Sequence, residues 1–398
     1  MNARRLSNTV IALGVVSFLT DLSSEMIYPL LPVFLTSVLA AGPRALGVIE
    51  GAAESVASLL KVASGVWTDR TRRRKPFLIF GYGLAGIARP LIGLAATWPA
   101  VLGLRVTDRI GKGVRTSPRD ALIADVTPAG LRGRAYGLHR AMDHAGAVAG
   151  PLVAAALLTL AGMNMRHVFL LAAIPAVLVI VVLLAGVREP QPAEVPAASP
   201  GGAPDRARLG PSFWRLMLAV LVFTLGNSTD AFLLLRLGGA GLAPAVVALL
   251  WSAFHVVKSI TTYCGGRLSD RLGRRPMVLG GWLVYAAVYV GFALIESLPA
   301  LVATFLAYGL YFGLTEPVEK AWVAELAPAA HRGRAFGVYH GAIGLAALPA
   351  SLLFGVLWQR FGSGAAFLTG AGLALAASAL LLMVPARPPS LDTRPPRA

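Results

Sequence analysis

Two motifs recur in both halves of this 398-residue chain at a nearly constant spacing, and this repeat constrains the fold more strongly than any other feature. One motif reads LRGRAYG from Leu131 and HRGRAFG from His331, 200 residues later. The other reads GVWTDRTRRRKP from Gly65 and GRLSDRLGRRP from Gly266, 201 residues later. A repeat of this period predicts two structural units of similar fold in tandem.

The composition places both units in a membrane. Hydrophobic residues make up 56% of the chain, charged residues only 14%, and the mean hydropathy is +0.68. The apolar residues come in runs of about 20, the length of a helix that crosses a bilayer. Positive residues, which give a net charge of +17, sit in short loops between these runs. This is the positive-inside pattern of membrane proteins, and it needs no nucleic-acid partner.

Six apolar runs precede a polar segment and six follow it, which predicts an all-α integral membrane protein with twelve crossings. The predicted spans are 9–40, 45–67, 77–97, 99–123, 136–160, 166–187, 213–236, 243–265, 277–296, 299–323, 335–358 and 363–384. Residues 188–212 are rich in Pro, Ala and Gly, which predicts a cytoplasmic linker between a bundle at 1–187 and a bundle with a short tail at 213–398. The basic loops all fall on one side if both termini are cytoplasmic, so we expect a multi-pass protein of the cell inner (plasma) membrane.

The second-half motif carries a family resemblance. GGRLSDRLGRRP matches the cytoplasmic G-x-L-x-D-R-x-G-R-R motif of the major facilitator superfamily residue for residue, and the chain resembles that family over essentially its whole length. The first-half copy has Trp67 and Arg72 in place of the Leu and the second Gly. The resemblance implies two six-helix bundles related by a pseudo-two-fold axis. It also implies a gating role, as a latch, for Gly65, Asp69, Arg70, Gly266, Asp270, Arg271 and Arg274. The alternative is a tight turn that only anchors the topology.

Two further motifs resemble those of the same family. Arg109-Ile-Gly-Lys112-Gly113 is similar to the fourth-helix R-x-x-q-G motif, with Lys112 where Gln is commoner. The sequence from Gly146 through Gly150 to Pro151 is similar to the fifth-helix G-x-x-x-G-P motif of drug and metabolite antiporters. Small residues four apart in a membrane helix generally indicate close helix packing. Within this frame they also favour export, and we assign these three residues to gating.

Charged residues inside the spans are the candidate transport residues, because each costs about 2.5–3.5 kcal/mol at mid-bilayer on insertion scales. On the first helix Asp21, Ser24, Glu25 and Tyr28 share one face. Two carboxylates one turn apart repel when both are ionised, so one of them is suited to take up and release a proton. The alternative for Glu25 is a structural ion pair with a basic residue of the fourth helix.

The fourth helix carries the densest stripe of charge. Its members are Arg105, Asp108, Arg109, Lys112, Arg115 and Arg119, at offsets 0, 3, 4, 7, 10 and 14. A face this basic must line a water-filled cavity or pair with acids across it. The expected partners are Asp21 and Glu25 in the same half and Asp230, Glu316 and Glu319 in the other. The resemblance implies that helices one, four, seven and ten line that cavity.

These arguments define three sets of candidate residues. The proton-coupling set is Glu25, Asp21, Asp230 and Glu316. The substrate-binding set is Arg109, Lys112, Arg105, Tyr28, Asn227 and Glu319. Arg119, near the end of its span, joins the gating set.

No phosphate-binding loop of the G-x-x-x-x-G-K-[ST] type occurs in the sequence, so an ion gradient rather than ATP is the expected driving force. Six scattered histidines and one cysteine make a soft-metal site improbable, and we expect neither a metal nor a cofactor. Coordination of a hard cation by the acidic residues stays open.

The sequence therefore predicts a secondary transporter rather than an enzyme. The leading hypothesis is proton-coupled efflux, by antiport, of a small organic solute or drug; the alternative is proton-coupled uptake, by symport, of an anionic metabolite. A membrane sensor or a lipid-modifying protein is a remote third class, because no output domain or hydrolytic triad is evident. The expected partners are the small-molecule substrate, protons and the lipid bilayer, and nothing in the sequence demands more than a monomer.

Overall fold

The computed structural model describes residues 6–71, 73–127, 132–189, 209–327 and 332–384. All regular structure in these ranges is helical. The crossings are α1 (Asn8–Val38), α2 (Pro43–Thr71), α3 (Lys75–Leu94), α4 (Trp98–Asp125), α5 (Arg132–Thr159), α6 (Met165–Gly186), α7 (Pro211–Gly239), α8 (Pro244–Leu272), α9 (Arg274–Leu294), α10 (Leu298–Leu326), α11 (residues 332–361) and α12 (residues 363–381).

Ten of these crossings lie in segments that are long and apolar enough to span a bilayer, counted over the described residues. The other two, α2 and α4, are long enough but more polar. Their polarity comes from charged residues within the spans. The prediction of twelve crossings is therefore confirmed. Ten of the helices are apolar, and the charged side chains of the other two must face the interior of the bundle rather than lipid.

Local sequence explains where the helices begin and turn. The side chain of Ser7 caps α1 by accepting a hydrogen bond from the backbone N–H of Val10, and Asn164 caps α6 in the same way at His167. Gly273, between α8 and α9, has φ of 88°, and Gly362, between α11 and α12, has φ of 86°. Residues with a side chain rarely adopt a φ in this range. The turn between α8 and α9 therefore requires Gly273, the second glycine of the cytoplasmic motif.

The first helix of each half is broken at equivalent positions. In α1 the regular α-helix ends at Glu25; Pro29 follows in a short 3-10 turn, Pro32 in a single α-helical turn, and a π turn ends at Val38. In α7 the helix Pro211–Gly226 is separated from Ala231–Gly239 by residues 227–230. Broken helices at mid-depth expose backbone and polar side chains, and in transporters they mark the binding region.

Close contacts between small residues join the two halves along α2 and α11. A Cβ atom at Gly51 would come within 3.0 Å of the Leu348 backbone, and Gly355 lies equally close to Pro43 and Arg44. On the other side of the bundle, α8 meets α5, where the hydroxyl of Ser252 donates to the carbonyl of Val148 at 2.9 Å. These two seams bring the halves together around a central space.

One end of that space is closed and the other is open. At the closed end Leu30, Leu31 and Phe34 of α1 join Phe232 and residues 233–234 of α7 in one fully buried apolar cluster. At the open end, where α1 begins at Asn8, the space is bordered by side chains exposed to solvent, such as Arg140 and His340. The bundle therefore encloses a cavity with access from one side.

Candidate functional site

The cavity between the halves has a volume of about 640 Å³. Residues of α1 to α5 line it from the first half, and residues of α7, α8, α10 and α11 line it from the second half. Volumes of 300–1,000 Å³ are typical of sites for small organic ligands. The space is therefore large enough for a metabolite or a drug-sized molecule.

Most of the residues selected from the sequence line this cavity. These are Asp21, Glu25, Tyr28, Arg105, Arg109, Lys112, Asn227, Asp230 and Glu316. Placement alone does not assign a role, so their division into proton-coupling and substrate-binding sets remains a prediction. Within the described part of the chain, no group of three or more His, Cys, Asp or Glu residues is arranged to hold a metal ion. The hard-cation alternative therefore gains no support from the geometry.

A chain of buried ion pairs forms part of the cavity wall in the first half. Arg105 of α4 binds both carboxylate oxygens of Glu50 on α2, at 2.7 and 2.9 Å. Asp108 accepts from Arg89 of α3 at 2.8 Å and approaches Arg105 at 3.4 Å. Arg89 also donates to the carbonyl of Thr20 on α1 at 3.0 Å. The network joins four helices, and the charge of Arg105, which lines the cavity, is compensated within it by Glu50.

Arg109 and Lys112 follow Arg105 on the same helical face, but their surroundings differ from those of Arg105. Among the residues that the structure describes, neither has a carboxylate within 4.0 Å. The Nε atom of Arg109 is buried and has no hydrogen-bond acceptor there. A cation in the interior of a membrane protein is costly without a partner. Both side chains line the cavity, and no described carboxylate compensates their charge at this distance.

The expectation that Asp21 and Glu25 pair with the basic fourth helix is wrong in this conformation, because no such pair lies within 4.0 Å in the described residues. Glu25 instead accepts a hydrogen bond across the cavity from the indole N–H of Trp251 on α8, at 2.7 Å. The acids that do pair with Arg105 and Arg89 are Glu50 and Asp108. Sequence spacing cannot reveal this choice, because it depends on which neighbouring helix faces each carboxylate.

The floor of the cavity is formed where the broken helices meet. The hydroxyls of Tyr28, after the break in α1, and Thr229, within the break in α7, lie 3.2 Å apart. The Tyr28 ring also packs on Trp251, with ring centroids 5.2 Å apart. Together with the bond from Trp251 to Glu25, these contacts link the two halves directly above the closed end.

The second half presents fewer charges to the cavity. Asp230 accepts a hydrogen bond from Tyr308 at 2.8 Å, and Asn227 donates to Tyr311 at 3.3 Å. Glu316 pairs with Lys320 one turn along α10, at 3.3 Å. Glu316 is thus partly compensated, whereas Asp230 meets only a neutral donor among the described side chains.

Glu319, expected in the substrate-binding set, does not line the cavity. Its carboxylate is buried behind the wall, where it accepts hydrogen bonds from Trp282 at 3.1 Å and from Tyr339 at 2.9 Å. Glu316, three residues earlier on α10, lines the cavity, whereas Glu319 does not.

Lys258 of α8 lines the cavity and was not selected from the sequence. Its Nζ lies 3.7 Å from the centroid of the Phe312 ring, and no described carboxylate comes within 4.0 Å of it. An intramembrane lysine is a recognisable signal. Which side of α8 faces the cavity depends on packing, however, and a single lysine does not define a face.

The structure describes the side chains of only some of the predicted gating residues. The side chains of Gly65, Asp69, Arg70, Gly266 and Asp270 lie outside those that the structure describes. Arg271 is exposed at the end of α8. Arg274 binds Glu325 of α10 at 2.9 Å, and Arg119 binds its neighbour Asp120 at 2.8 Å without lining the cavity.

The glycines of α5 bring that helix onto the acidic face of α1. A Cβ atom at Gly146 would lie 3.0 Å from the Cβ of Asp21, and one at Gly150 would lie 2.8 Å from the Cβ of Glu25. Pro151 follows within the same helix. The spacing therefore serves close packing at the level of the acids.

Comparison with known proteins identifies this architecture. The sequence profile of the Major Facilitator Superfamily matches residues 13–238 and 237–398. The chain belongs to the Major Facilitator Superfamily. An uncharacterised MFS-type transporter of Methanocaldococcus jannaschii is 33% identical over 392 residues, which is 96% of each chain. Multidrug resistance protein MdtH of Aeromonas hydrophila is 30% identical over 159 residues, 40% of each chain.

Solved structures of MFS proteins show the same fold. A bacterial homologue of the lysosomal transporter Spinster, in an inward-facing conformation, has a TM-score of 0.72 at 18% identity and covers 94% of each chain. A D-xylose–proton symporter has a TM-score of 0.75 at 19% identity and covers 95% of this chain and 98% of its own. The predicted fold is confirmed, and this MFS chain is a multi-pass secondary transporter rather than an enzyme.

Proposed function

We propose that this transporter carries a small organic anion together with protons, by alternating access. The observation that supports this most directly is the pair Arg109 and Lys112, two cations on the cavity wall without an acidic partner among the described residues. Guanidinium and ammonium groups bind carboxylates and phosphates through charge-assisted hydrogen bonds. An anionic substrate would complete the coordination that the protein leaves open.

The acids in the same cavity provide the coupling to protons. Asp21, Glu25 and Asp230 line it, and none has a described cation within 4.0 Å. A bound anion adds negative charge next to these carboxylates and so favours their protonation. By thermodynamic reciprocity, a proton on one of them favours binding of the anion by the same factor. Cooperative binding of anion and proton is the requirement for symport, and it favours the uptake hypothesis over drug antiport.

Proton-coupled efflux is the second candidate. Its support is the packing of Gly146 and Gly150 against the acidic face of α1, together with the likeness of part of the chain to a multidrug resistance protein. In this case a cationic solute would compete with protons for Asp21, Glu25 or Asp230. The two candidates therefore predict opposite directions of proton movement.

The proposal also covers the orientation of the protein in the membrane and the segments that move during transport. The described basic residues Arg73, Arg74, Arg274 and Arg275 lie at the open end, so the positive-inside rule favours an inward-facing state of an inner-membrane protein with both termini in the cytoplasm. Two bundles, at 1–187 and 213–398, would rock about the seams of α2 with α11 and α5 with α8, with 188–212 as their linker. Asp69 and Asp270 would act as latches at the open end, where Arg274 already links α9 to α10. A monomer suffices for this cycle.

The test is proton movement in liposomes that contain the purified protein and a pH-sensitive dye. Initial rates are recorded after adding acetate, succinate, benzoate or a cationic dye, and rates in protein-free liposomes are subtracted. Inward co-movement of protons with an anion is expected. It should be lost in Lys112→Gln and retained in Arg215→Gln, which removes an exposed charge at the start of α7. Proton movement opposite to the cationic dye, without any response to the anions, would overturn the proposal in favour of antiport.

A further inference from the structure

The two walls of the cavity differ in chemistry although they are related by the internal repeat. Lys112 and Asp108 of α4 correspond, at the offset of 200 residues, to Phe312 and Tyr308 of α10. Lys112, Phe312 and Tyr308 all line the cavity. The repeat has therefore placed a cationic wall in the first half opposite an aromatic wall in the second.

The aromatic wall is a packed unit with little freedom to rearrange. The rings of Tyr308 and Phe312 meet edge to face at 5.2 Å, and Phe254 stacks behind Tyr308 at 5.6 Å with an interplanar angle of 10°. Trp251 stacks on Phe254 at 5.0 Å and extends the wall toward the cavity floor. Preformed surfaces of this kind bind rings with little loss of conformational entropy.

Each wall also carries a buried polar atom that no described residue satisfies. On the cationic wall it is Nε of Arg109, and on the aromatic wall it is Nε2 of His255. The His255 ring stands edge-on to Trp251, with centroids 4.9 Å apart. Both residues line the cavity. Buried polar groups are almost always hydrogen-bonded, so two unsatisfied atoms on opposite walls point to a ligand that reaches both.

Lys258 adds a third cation at the edge of the aromatic wall. Its Nζ lies over the Phe312 ring at 3.7 Å, and among the described residues it has no acidic partner within 4.0 Å. Its charge offsets, at the Phe312 end of the wall, the carboxylates of Asp230 and Glu25 that bond to Tyr308 and Trp251.

We infer that the substrate is an aromatic organic anion, whose charged group binds Arg109 and Lys112 and whose ring packs against Trp251, Tyr308 and Phe312. The inference rests on the proposed transport of an anion and adds that this anion carries an aromatic ring. A cavity of about 640 Å³ is larger than an anionic group alone requires. Binding across both walls would also draw the two halves together, which is the movement that closes the open end.

The test compares four probes that separate charge from ring. Benzoate has both, cyclohexanecarboxylate has a saturated ring with the same charge, acetate has the charge alone, and benzamide has the ring alone. Their affinities for the purified full-length protein are measured by isothermal titration calorimetry. Benzoate is expected to bind about tenfold more tightly than cyclohexanecarboxylate, given the typical strength of aromatic pairs. Acetate and benzamide should bind more weakly than either.

Variants locate the ring and the charge. Phe312→Leu should reduce benzoate affinity to that of cyclohexanecarboxylate, and Lys112→Gln should weaken all three anions alike. Phe213→Leu is the control, because Phe213 is a buried aromatic residue of α7 that packs on Trp214 and does not line the cavity. It should leave the order of the four probes unchanged.

The outcomes distinguish this inference from the proposal on which it rests. If the three anions bind equally well, or if benzoate keeps its advantage in Phe312→Leu, the aromatic substrate is wrong and anion transport stands. If benzamide binds as tightly as benzoate and Lys112→Gln has no effect, anion recognition itself is wrong and both ideas fail.

Discussion

Glu25 of the first half and Trp251 of the second are joined by a hydrogen bond of 2.7 Å from the indole N–H to the carboxylate. An indole N–H can only donate, and its bond is strongest when the acceptor is ionised. The residue expected to carry the proton thus also holds a contact that keeps the closed end shut. Protonation of Glu25 would weaken that contact, which gives a direct route from proton binding to the movement of the two halves.

Trp251→Phe should loosen the closed end. The change keeps an aromatic ring against Tyr28 and removes the donor, and hydrogen bonds to charged groups are worth about 1.5–3 kcal/mol. A shift of this size changes the equilibrium between the two conformations roughly 10- to 150-fold. The measurement is the distance between spin labels at Ser37→Cys and Gly239→Cys in a Cys264→Ser background, since both sites are exposed at the closed end in opposite halves.

The control for this experiment is Trp214→Phe, which alters an indole that is half exposed at the outer surface of α7. It should leave the distance distribution as in the parent. An unchanged distribution in Trp251→Phe would mean that the apolar cluster around Phe34 and Phe232 closes the cavity without help from the hydrogen bond.

Glu25→Gln should separate transport from the proton gradient. The glutamine carbonyl can still accept from Trp251, so the contact between the halves is retained in a weaker, neutral form. The side chain can no longer release a proton. Exchange of labelled substrate across liposomes at equal concentrations should continue, whereas accumulation driven by a pH gradient should fall to the level of empty liposomes. Gradient-driven accumulation at the parental rate would remove Glu25 from the coupling mechanism.

Asp108→Asn should strongly destabilise the fold. The Asp108 side chain is 0% exposed and bonds to Arg89 at 2.8 Å, with Arg105 at 3.4 Å. Removing its charge leaves two buried guanidinium groups partly uncompensated, which typically costs about 3–5 kcal/mol. The midpoint of thermal unfolding in detergent should drop by several degrees. Asp125→Asn, which alters a pair with Arg74 in which the Asp125 side chain is 49% exposed, should change stability by at most about 1 kcal/mol.

The sequence was sufficient for the architecture because the repeat, the apolar runs and the basic loops are properties of single segments. It also placed Arg109, Lys112 and Glu25 at the cavity, because a charged side chain inside a membrane span must face water or a partner. It could not identify the partners of these charges. Glu25 bonds to Trp251, which is 226 residues away and carries no charge, so no rule of charge complementarity selects it.

The same limit explains the error at Glu319. Both Glu316 and Glu319 satisfy the argument that a charge inside a span must face water or a partner. The partners of Glu319 are the neutral donors Trp282, which does not line the cavity, and Tyr339, which does. Residues three apart lie about 60° from each other around a helix, on neighbouring parts of one face, so the spacing does not separate these two acids. Only the packing of α9 and α11 decides which of the two acids reaches the cavity.

Gly150→Ala tests whether the packing of α5 on α1 sets the position of Glu25. The added Cβ would lie 2.8 Å from the Cβ of Glu25 and from the carbonyl oxygen of Leu22, so the helices must separate, at a cost of about 1–3 kcal/mol. Gly137→Ala on the same helix has nothing within 4 Å and should be neutral or gain up to about 1 kcal/mol of helix propensity. Thermal unfolding and gradient-driven transport are measured for both. Because Glu25 bonds to the opposite half, a shift of α1 should impair coupling in Gly150→Ala even at temperatures where the variant is fully folded. Normal coupling in a folded Gly150→Ala protein would show that the acids tolerate displacement of this helix and that the glycines serve stability alone.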